Sequence, residues 1–82
     1  MKVIINISLK NGVLDPEGQA IENSLLNLGF KDFKNIRIGK QIILNIDKTN
    51  KSEVLEQANN MCETILANTV IENYKIDILE DK

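Results

Sequence analysis

The chain has 82 residues, a formal net charge of −2 and 43% hydrophobic residues. This length supports a single hydrophobic core, so we expect one domain over residues 1–82. Acidic and basic residues are interspersed without a basic run, and no apolar stretch is long enough to span a bilayer, so nucleic acid and membrane are both disfavoured as partners.

Residues 2–9 predict the first strand, because their apolar side chains fall on alternate positions. The side chains expected on the core face are Val3, Ile5, Ile7 and Leu9. Ile4 interrupts the polar pattern of the opposite face. In a two-layer domain that face is exposed to water unless something covers it.

A helix is predicted over residues 16–28. Asp15 can cap its free backbone amides, and Pro16 suits the first helical position because it has no N–H to leave unpaired. Gly29 is placed to take the left-handed conformation that ends many helices. The apolar stripe expected to be buried consists of Ala20, Ile21, Leu25 and Leu28.

Residues 32–47 form a second extended region, whose five apolar residues all occupy even positions. These are Ile36, Ile38, Ile42, Leu44 and Ile46. Gly39 lies between the first two and the last three, where either a hairpin turn or a bend in one long strand fits the sequence. The shared parity favours one long strand slightly over two.

A second helix is expected over residues 51–67, where Asn50 and Glu53 can form a capping box. A final strand is expected over residues 69–79. The element order is therefore β-α-β-(β)-α-β. We predict an α+β fold, a two-layer sandwich with two helices on one face of a three- or four-stranded, mostly antiparallel sheet.

The sequence offers little reactive chemistry. It has no histidine, which removes Ser-His and Cys-His nucleophile pairs and the commonest zinc ligand. Cys62 lies on the apolar stripe of the second helix, where we interpret it as a small packed hydrophobe. We therefore expect no catalytic, cofactor-binding or metal-binding residue in this chain. A lone cysteine and no signal-peptide pattern are typical of a cytoplasmic protein.

Four apolar residues lie at positions that are expected to face solvent in a free monomer, where they contribute little to its stability. Val13 and Leu14 occur in a polar loop before the first helix, and Ile4 and Ile43 lie on the strand faces opposite the core. Scattered surface hydrophobics are normal in soluble domains. Because small domains are commonly stabilised by association, we favour contacts with another copy or another subunit.

Three blocks of the sequence resemble those of a known family. Leu9–Gly18 reads LKNGVLDPEG, Leu25–Phe30 reads LLNLGF, and Ile36–Lys40 reads IRIGK. The blocks occur in the order and spacing of that family, and the first is specific. Over essentially its whole length, the chain is similar to the small, PurS-type subunit of phosphoribosylformylglycinamidine synthase.

This resemblance implies a role in purine biosynthesis, in a glutamine-hydrolysing, ATP-dependent carbon–nitrogen ligase. In that family, formylglycinamide ribonucleotide, glutamine and ATP yield formylglycinamidine ribonucleotide. A glutaminase subunit releases ammonia, and a large synthetase subunit uses ATP and magnesium to activate the substrate. The small subunit bridges the two so that ammonia passes between them. It is non-catalytic and self-associates as a dimer or tetramer.

Seven residues are expected to make contacts within such an assembly: Val13, Leu14, Arg37, Gly39, Lys40, Ile4 and Ile43. An alternative function is a regulatory module that binds a small ligand between sheet edges, as many β-α-β domains of this size do. The alternative predicts that a ligand raises the melting temperature of the isolated chain.

Overall fold

The computed structural model describes residues 1–80 and confirms the α+β class. In chain order its elements are β1 (Lys2–Leu9), α1 (Pro16–Asn27), β2 (Gly39–Asn45), α2 (Lys51–Met61), a π-helical turn (Cys62–Leu66) and β3 (Glu72–Leu79). Asp81 and Lys82, which belong to the predicted domain, lie outside the described residues.

The three strands form one antiparallel sheet in the order β2-β1-β3. Ile5 of the central strand lies opposite Ile42 on one side and Ile76 on the other. Because side chains alternate between the two faces along a strand, this register places all three on the same face. Val3 and Ile5 are fully buried there and Ile7 almost fully, as the alternation in the sequence predicts.

The second helix, α2, packs on this face above β3. Val54, Ala58 and Cys62 are fully buried in the hydrophobic core. The Tyr74 hydroxyl of β3 donates a hydrogen bond to Asn59 Oδ1 of α2 at 2.9 Å. The core of the described residues is therefore built mainly by the sheet, α2 and the π-helical turn.

The helix predicted over residues 51–67 consists of α2 and the π-helical turn. At its start, the Asn50 side chain accepts a hydrogen bond from the Glu53 amide at 3.2 Å, which is half of the predicted capping box. At its end, the Ala67 amide donates to the Cys62 carbonyl at 3.0 Å, the i→i+5 bond of a π-helix. This wider turn keeps both Cys62 and Ala67 buried.

The first helix, α1, begins and ends as the sequence predicts. Asp15 caps it by accepting a hydrogen bond from the Gly18 amide. Gly29 has a φ of 95°, and the Phe30 amide donates to the Leu25 carbonyl at 3.1 Å. Together these form a Schellman-type helix end, which a glycine in the left-handed region permits.

The apolar stripe of α1 is not buried within the chain, contrary to the sequence-based expectation. Ile21 is 43% exposed and Leu28 75%, Ala20 is exposed as well, and Leu25 is half-buried. No residue of α1 belongs to the core among the described residues. An apolar stripe indicates that some surface covers a helix, but it does not specify that this surface lies in the same chain.

The extended region predicted over residues 32–47 is shorter in the structure. Asp32 and Asn35 have left-handed φ values of 67° and 61°, which interrupt an extended backbone. Residues 31–38 consequently form an irregular strap, and β2 begins at Gly39. Gly39 is thus neither a hairpin turn nor a bend inside a strand, and the described chain contains no fourth strand.

Candidate subunit interface

Arg37 ties the strap to the loop before α1. Its guanidinium donates from Nη1 to the Val13 carbonyl at 2.8 Å and from Nη2 to the Lys10 carbonyl at 3.2 Å. Between these two acceptors the backbone turns at Gly12, which has a φ of 86°. Arg37 therefore fixes the shape of a loop that lies 24 residues earlier in the chain.

Asp15 joins the start of α1 to the end of the strap. Its Oδ1 accepts a hydrogen bond from the Gly18 amide at 2.9 Å, and its Oδ2 accepts one from the Ile38 amide at 2.8 Å. The residue is only 7% exposed. The hydrogen bond from Ile38 lowers the pKa of this carboxyl below its ordinary value of 3.8, helped by the Gly18 amide and the charge of Arg37 and opposed by burial. Asp15 is therefore ionised at neutral pH.

Gly18 is the point of closest approach between α1 and the strap. A side-chain carbon at this position would overlap the carbonyl oxygen of Ile36 and lie 3.1 Å from the carboxylate of Asp15. Only a residue without a side chain fits this contact. Gly18 therefore lets the strap lie against the first turn of α1, where the Asp15 hydrogen bonds form.

The loop held in this way presents apolar side chains to solvent. Leu14 is 67% exposed, and Val13 is half-buried. Both line an open groove together with Asn35 and Arg37. Because the loop is already fixed, little conformational freedom is lost when it binds, and the groove is suited to contact with another protein chain.

Gly39 and Lys40 lie beside this groove, at the start of β2. Gly39 pairs with Ser8 of β1, and Lys40 Nζ lies 3.6 Å from Glu72 Oε2 of β3. Both line a second open groove, which shares Asp15 with the first. The structure thus brings five of the predicted site residues together, and we call them the loop cluster: Val13, Leu14, Arg37, Gly39 and Lys40.

The other two predicted residues form a separate surface, the outer face of the sheet. Ile4 and Ile43 lie directly opposite each other on β1 and β2, on the face away from α2. Ile43 is 55% exposed and Ile4 is half-buried. On the same face, Gln41 Nε2 donates a hydrogen bond to Asn6 Oδ1 at 3.0 Å. The outer face therefore combines an apolar pair with polar neighbours.

Sequence reasoning missed the long-range partners of the loop cluster. Asp15 was recognisable as a helix cap, but no local signal identified Ile38 as its second donor. Nor did the sequence indicate that Arg37 binds main-chain carbonyls or that Glu72 pairs with Lys40. These contacts join residues that only folding brings together, so a pattern of neighbouring residues cannot encode them.

Reactive groups are sparse in the part of the chain that the structure describes. Cys62 is fully buried, as predicted, and burial raises the pKa of its thiol, with a smaller effect from the charge of Glu63. Within residues 1–80, no three His, Cys, Asp or Glu side chains are arranged to hold a metal ion. No helix in that range is long and apolar enough to cross a membrane.

Comparison with known sequences finds one family over nearly the whole chain. A family model described as PurS, phosphoribosylformylglycinamidine (FGAM) synthase, matches residues 2–80. The phosphoribosylformylglycinamidine synthase subunit PurS of Bacillus subtilis is 41% identical over 80 residues, which cover 96% of this chain and 93% of the relative.

Comparison with solved structures agrees. A crystal structure of Methanocaldococcus jannaschii PurS, one of the subunits of formylglycinamide ribonucleotide amidotransferase in the purine biosynthetic pathway, matches with a TM-score of 0.87 at 38% identity. That match covers 99% of this chain and 98% of the other. A chain in the structure of PurLQS from Thermotoga maritima matches with a TM-score of 0.86 at 33% identity, over 95% of both chains.

Proposed function

Because this chain belongs to the PurS family of phosphoribosylformylglycinamidine synthase, we propose that it bridges the glutaminase and synthetase subunits of that enzyme. The assembled enzyme is a glutamine-hydrolysing, ATP-dependent carbon–nitrogen ligase of purine biosynthesis. It converts formylglycinamide ribonucleotide to formylglycinamidine ribonucleotide, and this chain is a non-catalytic subunit.

In this proposal the reacting groups belong to the partner subunits. The glutaminase subunit releases ammonia, and the synthetase subunit uses ATP and magnesium to activate the substrate. This chain supplies binding energy and geometry, so that ammonia passes between the two sites without escaping. It acts as a single domain, self-associates as a dimer or tetramer, and works in the cytoplasm.

The observation that carries this proposal is the near-complete structural match to a chain of the Thermotoga maritima PurLQS structure. That match spans the elements that build the sheet, α1 and the loop cluster, rather than a shared fragment. It therefore supports a subunit role for the chain as a whole.

We assign the loop cluster to the contact with a partner subunit. Leu14 offers exposed apolar area, while the hydrogen bonds of Arg37 and Asp15 hold its loop in place before binding. Such preorganisation raises affinity because less freedom is lost on association. Ile4 and Ile43 of the outer face provide a second contact surface.

Co-purification tests the bridging role directly. A tagged glutaminase subunit is mixed with the synthetase subunit, glutamine, ADP and magnesium, with and without this chain. We expect the glutaminase to retain the synthetase only when this chain is present. Glutamine-dependent turnover should then need all three subunits, whereas ammonia-dependent turnover should need only the synthetase. Retention without this chain, or turnover by this chain alone, contradicts the proposal.

A further inference from the structure

The loop before α1 and the strap carry an excess of positive charge. Residues 10–15 and 31–40 together contain five basic and two acidic side chains, whereas the rest of the sequence contains five basic and ten acidic side chains. The hydrogen bonds of Arg37 and Asp15 bring these two segments against each other. Folding therefore gathers a local positive charge on a chain whose net charge is −2.

The acidic side chains near these segments leave part of this charge uncompensated. Asp15 is only 7% exposed, and main-chain amides already bind both of its carboxylate oxygens. Asp32 is exposed next to Lys31, whose opposite charge it offsets. Lys40 is offset by Glu72, which lies 3.6 Å away. The cations that form no ion pair with another described residue make up what we call the basic cluster: Lys10, Lys34 and Arg37.

Arg37 keeps both its charge and most of its hydrogen-bonding capacity. Its guanidinium has five N–H donors and uses two of them on the carbonyls of Val13 and Lys10. Because these acceptors are uncharged, they hold the side chain in place without neutralising it. Arg37 is exposed, so its remaining donors are accessible to a carboxylate, which a guanidinium binds in a forked geometry.

The groove beside Arg37 is basic on one side and acidic on the other. Arg37 lines it from the strap and Leu14 from the loop, while Glu22 lines it from α1. Lys34 is exposed and precedes Asn35, which also lines the groove. A segment that fits this groove therefore carries acidic side chains towards the strap, an apolar side chain towards Leu14, and no acidic side chain towards Glu22.

We propose that Lys10, Lys34 and Arg37 dock an acidic segment of one partner subunit, and that an apolar side chain of this segment packs on Leu14. The proposal rests on the proposed function and specifies the chemistry of the contact assigned to the loop cluster. It also adds Lys10 and Lys34 to that contact. Because opposite charges attract across about 10 Å at 0.1 M salt, the basic cluster speeds the encounter as well as holding the bound segment.

A protein segment fits these observations better than nucleic acid or a free phosphate does. A phosphate backbone is bound by a run of cations, whereas this chain is acidic as a whole. A free phosphate is bound by donors that converge on one point, but Lys10 and Lys34 lie outside the lining of the groove that contains Arg37. Dispersed cations beside the exposed Leu14 suit a segment that offers several side chains.

Charge reversal in the assembled enzyme tests the docking. Lys34→Glu and Lys51→Glu change the net charge equally, but Lys51 lies near Leu79, at the end of the sheet remote from the loop cluster. Each variant is titrated into the glutaminase and synthetase subunits, and the midpoint of glutamine-dependent turnover gives its apparent affinity. At low salt, Lys34→Glu should bind about tenfold more weakly than the wild type, and Lys51→Glu within about twofold. The defect of Lys34→Glu should shrink to about threefold or less at 0.5 M salt, because salt screens exposed charges.

Glu22→Gln determines the sign of the partner's charge. Removing this carboxylate reduces the repulsion of an acidic segment, so the variant should bind as tightly as the wild type or more tightly. Weaker binding of Glu22→Gln assigns a basic segment to the groove and overturns the proposal. Equal affinity of Lys34→Glu and the wild type at low salt overturns it as well. Melting temperatures of the variants, compared with that of the wild type, show that each one is folded.

A zero-length carbodiimide, which joins an amine to a carboxylate, locates the contact without any substitution. Mass spectrometry of the cross-linked wild-type complex should find Lys10 or Lys34 joined to an aspartate or glutamate of a partner subunit. Cross-links to the partners that start only from other lysines, such as Lys51, overturn the proposal. If the wild-type chain retains neither partner in co-purification, the bridging role fails with it. If both partners are retained and Lys34→Glu binds normally, the bridging role stands and only the acidic docking is overturned.

Discussion

The carboxylate of Asp15 accepts a hydrogen bond from the backbone amide of Ile38, 23 residues further along the chain, at 2.8 Å. Its other oxygen caps α1 through the Gly18 amide. One side chain therefore fixes both ends of the segment that carries α1, next to the exposed Leu14. The stability of the helix and the shape of the loop cluster are coupled through this one ionised group.

Replacing Asp15 with Asn is expected to destabilise the fold at neutral pH and to have less effect in acid. The folded-state pKa of Asp15 is below its ordinary value of 3.8, so the stability contributed by the ionised carboxylate is fully present well above that value. It is lost as the pH falls through 3.8 towards the lower folded-state pKa. Melting temperatures of the wild type and Asp15→Asn from pH 7 to pH 3 should therefore converge below about pH 4.

Asn50→Ala is the matched control for this titration. Asn50 caps α2 by accepting a hydrogen bond from the Glu53 amide, with a side chain that carries no titratable group. Its loss should lower the melting temperature by a similar amount across the pH range. If the gap between wild type and Asp15→Asn stays equally constant, the ionised state of Asp15 is not what stabilises the fold.

Replacing Gly18 with Ala should destabilise the chain by about 1–3 kcal/mol, because the added methyl group overlaps the carbonyl oxygen of Ile36. Helix propensity alone predicts the opposite, a gain of up to about 1 kcal/mol. Ser24→Ala, at an exposed site of the same helix, is the control and should change stability by no more than about 0.5 kcal/mol. Urea unfolding of the three proteins measures both effects. A stabilised Gly18→Ala shows that α1 and the strap are not in contact.

The contrast between α1 and the strap shows how far the sequence specifies this fold. Helix ends depend on neighbouring residues, so Asp15 and Gly29 were sufficient to place both ends of α1 correctly. The predicted extent of the extended region was wrong because Asp32 and Asn35 adopt a left-handed conformation, which an alternation of apolar residues does not reveal. The predicted burial of the apolar stripe of α1 was wrong for another reason. Apolar periodicity identifies the face of a helix that is to be covered, but it does not identify the chain that covers it.

In the candidate site, too, the sequence identifies locally unusual residues but not the long-range contacts that orient them. The sequence identified Leu14 as a displaced apolar residue, because a leucine in a polar loop stands out locally. It placed Arg37 among the expected contacts only through a family resemblance. The structure shows this side chain bonded to the carbonyls of Val13 and Lys10, a non-local arrangement that no spacing predicts. Local patterns therefore locate exposed groups, while the contacts that orient them become visible only in the folded chain.

Leu14→Ala should lower glutamine-dependent turnover of the assembled enzyme about tenfold, the effect of removing a moderate interface anchor. Ammonia-dependent turnover by the synthetase subunit should change little, because it does not require delivery from the glutaminase. Arg37→Lys is expected to act in the same direction, since a lysine cannot donate to both carbonyls in the geometry of a guanidinium. Steady-state rates with either nitrogen source provide the measurement.

Leu55→Ala is the control for this interface prediction. Leu55 is also an exposed leucine, at 44%, but it lies near Leu79 at the end of the sheet remote from the loop cluster. The Leu55→Ala variant should retain the wild-type rate with glutamine. Equal loss of glutamine- and ammonia-dependent rates in Leu14→Ala contradicts a role of this residue in subunit contact.

The thiol of Cys62 should react with a disulfide reagent on the order of a hundredfold more slowly than an exposed cysteine introduced by Val70→Cys. Cys62 is fully buried, and burial raises the pKa of its thiol, so access and thiolate content are both low. Val70 is 81% exposed. The rate at Cys62 should rise in urea together with unfolding. Fast reaction without urea shows that the π-helical turn opens independently of the core.

Ile43→Thr should weaken the association of dimers into tetramers about tenfold or more and leave the fold intact. Ile43 is 55% exposed opposite Ile4, and threonine keeps the branched shape that suits a strand while removing apolar contact area. Gln41→Thr, on the same face and strand, is the control and should leave the association constant almost unchanged. Sedimentation equilibrium of the three proteins measures the tetramer fraction. If the outer faces join two dimers, Ile43→Thr stops assembly at the dimer, whereas a shift to monomers assigns the dimer contact to the outer face.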